Sequence, residues 1–283
     1  MVIKVSINGS TLPLDEARIS PLDRGFLFGD AVYDVIKFID AKAFMYDKHY
    51  WRITNSLDGL QFPENDWSFL LEDMRKLIHE NGLENGMSLV YLQISRGAYE
   101  ARSHEFPKEE IKPTIFLMAT PCPQLKPKGL KLASRQDNRW GLCKYKTVNL
   151  LGNVLTKQSV VEDGNCNEVV LIKDGIALEC SSSALAIIDP EGKVVTHPPA
   201  DYMLPSISVM GMEQVCKNQG LDYVERPFTL DEVKSAGEVL VLSSVRDISQ
   251  ANILDGEKVG DKNPEILDKL QKGFADLVKS SLS

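Results

Sequence analysis

Glu168–Thr196 reads EVVLIKDGIALECSSSALAIIDPEGKVVT, and its punctuation decides the kind of fold. Glu168–Ile172 and Ile176–Glu179 are short runs of β-formers on either side of Asp174-Gly175. That dipeptide suits a two-residue hairpin turn, whose central residues take positive φ. Ala184–Ile188 is a third strand, and Pro190-Glu191-Gly192 turns it into a fourth, Lys193–Thr196. Outward from this block the period becomes helical. Before it, Leu151, Val154, Leu155 and Gln158 predict one face of a helix over about Val148–Val161, itself preceded by a short strand near Leu130–Ala133. After it come a helix from about Ser206 to Asn218 and a short helix opened by the capping box Thr229/Glu232. A strand, Val239–Ser243, follows, and Asn263-Pro264 starts a last amphipathic helix through Ile266, Leu270, Phe274 and Leu277. This half is mixed α/β.

The N-terminal half repeats the mixture. Alternation from Met1 to Ile7 runs into Asn8-Gly9, a second hairpin signal. Ala31–Ile39 is rich in β-formers and Ala43–Tyr46 can return beside it. A helix from about His49 carries the stripe Trp51, Ile53, Leu57, Leu60. A clearer one carries Trp67, Leu70, Leu71, Met74, Leu77 and Ile78 before Gly82 stops it. Met87–Ser95 and Thr114–Thr120 are strands, and the polar stretch Arg96–Pro113 between them is long enough to be a functional loop. Prolines and lysines in Pro121–Gly129 mark a linker. At 283 residues two domains are favoured. The expected architecture is therefore two mixed α/β (α+β) domains, 1–120 and 130–283, joined by 121–129.

A net charge of −8, with no stretch dense in Lys and Arg, speaks against a nucleic-acid surface. No apolar run reaches the eighteen or so residues of a membrane span, and the N-terminus lacks a signal-peptide core, so a soluble cytoplasmic protein is expected. The five scattered cysteines and four histidines offer no CxxC, zinc spacing or HxxxH, so neither a disulfide scaffold nor a metal is expected.

Candidate chemistry gathers at strand ends and helix starts. Asp23–Asp30 packs glycines, charges and aromatics before a strand, and Glu179 stands beside Cys180 and the hydroxyls Ser181–Ser183. Ser206-Ile207-Ser208 opens a helix, where free N–H groups favour an anion. Ser243-Ser244 ends another strand. Several phosphate-compatible places without a Walker lysine or GxGxxG suggest a phosphorylated cofactor that is not a nucleotide.

The stretches DRGFLFGDAVYDVIK (Asp23–Lys37), ISRG (Ile94–Gly97), RSHEFP (Arg102–Pro107), KYKTVNLLGNVLTKQ (Lys144–Gln158), NEVVLIKDG (Asn167–Gly175), ECSSS (Glu179–Ser183) and LPSIS (Leu204–Ser208) occur in an order covering nearly the whole chain. In this the sequence resembles the fold type IV, pyridoxal-phosphate-dependent aminotransferases, and among them the D-amino-acid (D-alanine) aminotransferases. The resemblance implies a cofactor, pyridoxal 5'-phosphate, in an interdomain cleft. It makes Lys146 the lysine that joins the cofactor aldehyde as an aldimine and then carries the proton between substrate Cα and cofactor C4′. Glu179 becomes the acid that keeps the pyridine nitrogen protonated. Arg52, Ile207, Ser208, Ser243 and Ser244 become the phosphate cup. Arg102 and His104, with Tyr33, become the donors that grip the substrate carboxylate. In the family the Arg-x-His loop reaches over from the neighbouring subunit, implying a homodimer with shared sites.

Departures from the family pattern fall around these positions. Cys180 and Ala184 stand where Gly and Asn are usual, and Asp34 where Glu is common. The loop Ala98–Ala101 is about one residue longer than usual, and Val245-Arg246 stands where small hydroxylated residues are expected. Arg246 could narrow the side-chain pocket, favour acidic substrates or be a surface charge; Cys180 reads as a packing thiol. The expected activity moves the amino group of a D-amino acid, D-alanine or D-glutamate, to a 2-oxo acid through pyridoxamine phosphate. Branched-chain L-amino-acid aminotransferase and aminodeoxychorismate lyase share the scaffold but do not usually carry Arg102-x-His104. A small-anion-binding module is the non-enzymatic alternative.

Overall fold

The computed structural model describes residues 3–123, 129–162 and 166–283. The body of the expected linker, 124–128, lies outside them. Two compact units emerge. One holds the N-terminal part through Pro123 together with Tyr145–Asn149 and Leu282–Ser283; the other holds Leu150–Ser281 and the stretch ending at Lys144.

The first unit is built on an antiparallel sheet of β1 (Lys4–Ile7), β2 (Ser10–Pro13), β3 (Ala31–Ile39), β4 (Lys42–Ala43), β5 (Met87–Ser95) and β6 (Thr114–Pro121), in the order β2-β1-β6-β5-β3-β4. Asn8-Gly9 makes the β1–β2 turn with both φ positive, as the dipeptide requires. A short helix, α1 (Arg24–Phe28), precedes β3; Asp23 caps its start and Gly29, at φ 69°, its end. Two longer helices, α2 (Tyr46–Gly59) and α3 (Leu70–Glu80), cover the sheet. Ile53 and Leu57 of α2 and Leu70, Met74, Leu77 and Ile78 of α3 meet Ile36, Val90, Leu92 and Leu117 in one core.

The expected α2 stripe needs correction. Trp51 is 44 % exposed, and the buried side chains besides Ile53 and Leu57 are polar: His49, Arg52 and Ser56. Hydrophobic period places the helix; it does not reveal that β3 offers a carboxylate to the polar residues.

The second unit carries β7 (Leu130–Gln136), α4 (Leu151–Glu162), β8 (Glu168–Lys173), β9 (Ile176–Cys180), β10 (Ala184–Ile188) and β11 (Val194–Thr196). It continues with α5 (Ile207–Gln219), β12 (Tyr223–Glu225), β13 (Phe228–Thr229), α6 (Leu230–Ser235), β14 (Glu238–Ser243), β15 (Asp247–Leu254), β16 (Glu257–Lys258) and α7 (Pro264–Ser280). Its sheet runs β12-β11-β10-β14-β15-β7-β8-β9-β13, with β16 beside β15. Among the described residues, parallel pairing joins β7 to β8 and β15, and β11 to β12. Strands β8, β10 and β14 are apolar without alternation because both faces are covered. The capping box at Thr229/Glu232 forms as expected. The apolar face of α4 is left uncovered: Leu151, Val154 and Leu155 are 69, 57 and 62 % exposed, and Val160 packs inward. No helix among the described residues is long and apolar enough to cross a membrane.

Candidate active site

In the first unit the segment Tyr145–Asn149 lies along the start of β3. Tyr33 N–H donates to the Lys146 carbonyl at 2.8 Å, Val148 N–H donates to the Ala31 carbonyl at 3.1 Å, and Val32 bridges Thr147. A second set of contacts ties the segment to α2. Lys146 N–H donates to Ser56 Oγ at 3.1 Å, and that hydroxyl donates to the Arg52 carbonyl at 2.7 Å. Gly59 has to be a glycine here, since a Cβ would stand 2.1 Å from the Tyr145 ring. The Lys146 backbone is thus pinned from two sides, and its Nζ rests 4.3 Å from the centroid of the Tyr33 ring. Tyr33 in turn stacks on Tyr91, centroids 5.7 Å apart. Lys146 is half-buried, so the amine is sheltered yet reachable.

The next residue on β3 points the other way, as strand geometry demands. Asp34 is fully buried, and both its oxygens are used. Arg52 donates through Nε to Oδ2 at 2.9 Å and through Nη2 to Oδ1 at 2.7 Å, while His49 Nδ1 lies 3.1 Å from Oδ1. Burial alone would raise the Asp34 pKa, but the charges of Arg52 and His49 and their hydrogen bonds outweigh it and hold the carboxyl far below its usual range. His49 is pushed down, chiefly by burial and further by the cations Arg52 and Lys146, against the pull of Asp34. The guanidinium edge of Arg52 suited to two acceptor oxygens is therefore turned to Asp34.

Arg102 and His104, in the loop between β5 and β6, are exposed and share one ring. The Arg102 guanidinium carbon is 5.1 Å from the Phe28 centroid, and the His104 ring meets Phe28 edge-on at 5.4 Å.

In the second unit Glu179 is buried at the end of β9. Arg139 donates to its Oε1 through Nη1 at 2.5 Å, and Leu204 N–H approaches the same oxygen at 3.4 Å. Arg139 is fixed by Asp137, which accepts from Nε and Nη2 at 2.9 Å each, and by the Tyr202 carbonyl. Burial opposes the charge on Arg139, yet the bonds to Asp137 and the charge of Glu179 raise its pKa above the ordinary value. An anchored, permanently charged guanidinium thus faces Glu179 and favours its ionised form. The hydroxyls beyond it serve a different acid: Ser181 and Ser182 donate to Glu168, which also pairs with Lys157 at 3.1 Å. Cys180 is buried, and burial pushes its thiol well up.

Ile207 and Ser208 form the buried first turn of α5. Ser206 Oγ accepts from Val209 N–H and its carbonyl from Met210 N–H, so the N–H groups of Ile207 and Ser208 precede the first intrahelical bond. Ser243 ends β14 and Ser244 opens the turn after it, both half-buried, and Ser243 Oγ accepts from Arg246 N–H at 3.2 Å.

The structure brings Lys146 to Tyr33, and Arg102 to His104 through Phe28. It also adds residues that sequence reading missed: Asp34 and His49 around Arg52, and Arg139 with Asp137 around Glu179. Asp34 was visible as a departure from the family pattern. Arg139 sits in a loop with no periodicity, and only its contacts mark it out.

The class IV amino-transferase family model matches residues 31–253. The chain is 33 % identical over 289 residues to the D-alanine aminotransferase of Staphylococcus haemolyticus, covering 99 % of each. It superposes on the branched-chain amino acid aminotransferase of Escherichia coli with TM-score 0.89 at 18 % identity, over 100 % of this chain and 97 % of that one. It also superposes on the branched-chain aminotransferase of the archaeon Thermoproteus uzoniensis, solved with norvaline, with TM-score 0.87 at 16 % identity, over 100 % and 99 %. These two similarities establish the fold.

Proposed function

The chain belongs to the class IV aminotransferases, pyridoxal-phosphate-dependent enzymes, and from that premise we propose that it transfers the amino group of a D-amino acid, D-alanine or D-glutamate, to a 2-oxo acid. The observation that carries the D-amino-acid reading is the near full-length likeness to a D-alanine aminotransferase, together with Arg102 and His104 gathered on one ring.

The residues present fit the cofactor. A sheltered primary amine, a buried carboxylate held ionised by Arg139, and a helix start whose first N–H groups precede any intrahelical bond are the donor set that an aldehyde, a pyridine nitrogen and a phosphate call for. When bound, pyridoxal phosphate supplies an aldehyde that an amine can join and a ring that spreads the electron pair left when a Cα–H bond breaks.

Lys146 is the catalytic residue in this reading: its Nζ takes the proton from substrate Cα and, with the cofactor bound, would deliver it to C4′, with the Tyr33 ring setting its position. The Glu179 carboxylate holds the proton on the pyridine nitrogen because Arg139, anchored by Asp137, keeps it from taking that proton itself. The N–H groups of Ile207 and Ser208 and the hydroxyls of Ser208, Ser243 and Ser244 bind phosphate, and Arg52, whose Nε and Nη2 bond Asp34, adds its positive charge. Arg102, His104 and Tyr33 bind the substrate carboxylate.

We place the enzyme in the cytoplasm as a homodimer. Among the described residues none of the five cysteines stands in a disulfide, which suits a reducing compartment. The exposed Leu151, Val154 and Leu155 on α4 and the exposed Phe26 suit burial against a second copy, which would also bring the Arg102 loop to its neighbour's site. The branched-chain L-specific alternative rests on fold likeness at 18 % identity, and the D-alanine aminotransferase relative weighs against it. Half-reactions followed through the cofactor spectrum decide. D-alanine and D-glutamate should convert the holoenzyme to the pyridoxamine form; conversion by L-leucine with D-alanine inert would overturn the reading.

A further inference from the structure

One aromatic ring carries both members of the loop pair, and the loop itself has no strand or helix ladder to hold it there. Arg102 has no carboxylate partner among the described residues; its guanidinium lies against Phe28, and His104 meets the same ring edge-on with an interplanar angle of 81°. The backbone around His104 is held by a buried arginine. Arg24 Nη1 donates to the carbonyl of Ser103 at 2.8 Å and to that of Glu105 at 3.2 Å, the residues on either side of His104. Arg24 is itself oriented by Asp30, which accepts from its Nε at 2.8 Å. The same carboxylate takes Arg96, whose guanidinium lies 3.9 Å from Phe106 and 4.3 Å from Phe62.

Arg24 and Phe28 stand one turn apart on α1, a helix capped at both ends, and the Arg24 guanidinium also lies 4.8 Å from the Phe28 ring. Around these rings Arg24 and Arg96 share the carboxylate of Asp30, and the charge of Arg102 is left to answer an outside anion.

We infer that Phe28 and Arg24 are positioning residues of the substrate-carboxylate site, seating Arg102 and His104 as one preassembled anion-binding pair. The inference rests on the proposed role of that pair. A long arginine on an irregular loop loses much rotamer freedom when it grips a ligand, and an aromatic platform removes part of that cost in advance. The ring needs only its face and edge for this, so the seat tolerates tyrosine and not an aliphatic side chain. Arg24 reaches both carbonyls from Nη1 while its Nε holds Asp30, and lysine, with a single nitrogen, does not span the two.

The test uses the holoenzyme, with steady-state kinetics on D-alanine and competitive inhibition by propionate, a carboxylate with no amine. Phe28→Leu should raise both the KM for D-alanine and the inhibition constant of propionate about tenfold, with kcat changed less than about threefold, as misplaced binding groups do. Arg24→Lys should move the same two constants in the same direction, and it carries the test if Phe28→Leu fails to fold. Phe28→Tyr should stay near the native values. The seat is refuted if Phe28→Leu and Arg24→Lys leave the propionate constant unchanged while Arg102→Met raises it, or if Phe28→Tyr is as impaired as Phe28→Leu. If Arg102→Met leaves that constant unmoved, the carboxylate role of the pair falls and the seat falls with it.

Discussion

Replacing Arg139 by leucine removes a guanidinium that answers two buried carboxylates. The side chains of Arg139, Glu179 and Asp137 are 5, 8 and 6 % exposed, so water replaces almost nothing of what is lost. Glu179 loses a 2.5 Å charge-assisted bond and Asp137 loses two at 2.9 Å. Breaking a buried pair by removing one partner costs about 3–5 kcal/mol, because the surviving charge stays buried. At roughly 2–4 °C per kcal/mol for a chain of this size, the midpoint of thermal unfolding should fall by on the order of ten degrees. Urea titration of the cofactor-free protein measures the free energy directly. The stranded carboxyls should take up protons at higher pH than before, so the deficit should be smaller at pH 5 than at pH 7.5. The double variant Arg139→Leu/Glu179→Gln, which removes both charges of the close pair, should recover about 1–3 kcal/mol of the loss. An Arg139→Leu protein within about 0.5 kcal/mol of native, or a double variant whose losses simply add, would refute the reasoning.

Stability should also fall on mild acidification through His49. Its pKa in the fold lies below the ordinary value of 6.5, so between the two values the unfolded chain binds a proton that the folded chain does not, and stability rises with pH through that window. The Asp34 contribution persists to lower pH, being present above its unfolded value near 3.8 and lost as pH falls below it. His49→Gln should therefore flatten the urea-stability profile between about pH 7 and 5, and an unchanged slope would exclude His49 as the cause. Gly59→Ala puts a Cβ 2.1 Å from the Tyr145 ring, so the ring must leave and disturb the backbone of Lys146. Urea unfolding should show a loss of about 1–3 kcal/mol from the overpacking, and turnover should fall about tenfold or more; native turnover would show that Tyr145 does not set the lysine. Thr229→Ala removes the capping box that opens α6 and should cost about 1 kcal/mol in the same urea assay, an unchanged midpoint being the contrary result.

Much of this fold is legible because its signals are local. Asn8-Gly9 and Asp174-Gly175 demand positive φ wherever they stand, and both make the turns that they predict. Thr229 and Glu232 cap a helix through atoms three residues apart. Where a partner distant in sequence decides, reading fails. The stripe on α4 is a true period, but period reveals that a helix has an apolar face and not that the chain leaves it uncovered. On α2 the same signal selects Trp51, whereas the buried Asp34 draws His49 and Arg52 inward. The five-residue helix α1 is too short for any period, although its caps, Asp23 and Gly29, stand in the sequence. Strand β15, which pairs with both β14 and β7, reads ambiguously because Ser249, Gln250 and Asn252 interrupt its apolar residues.

The site shows the same division. Lys146, Glu179, Arg102 and His104 are named by resemblance and not by period. Arg139 and Phe28, which hold two of those groups in place, become visible only through contacts.

The most direct measurement of the central claim is borohydride reduction of the holoenzyme followed by mass spectrometry of its peptides. Hydride adds across the carbon–nitrogen double bond between cofactor and lysine and leaves a stable secondary amine on the side chain that held it. A pyridoxyl group on the peptide containing Lys146, and none on any peptide of the Lys146→Ala protein, is the expected result. A modified lysine elsewhere in the chain, with Lys146 bare, would contradict the account.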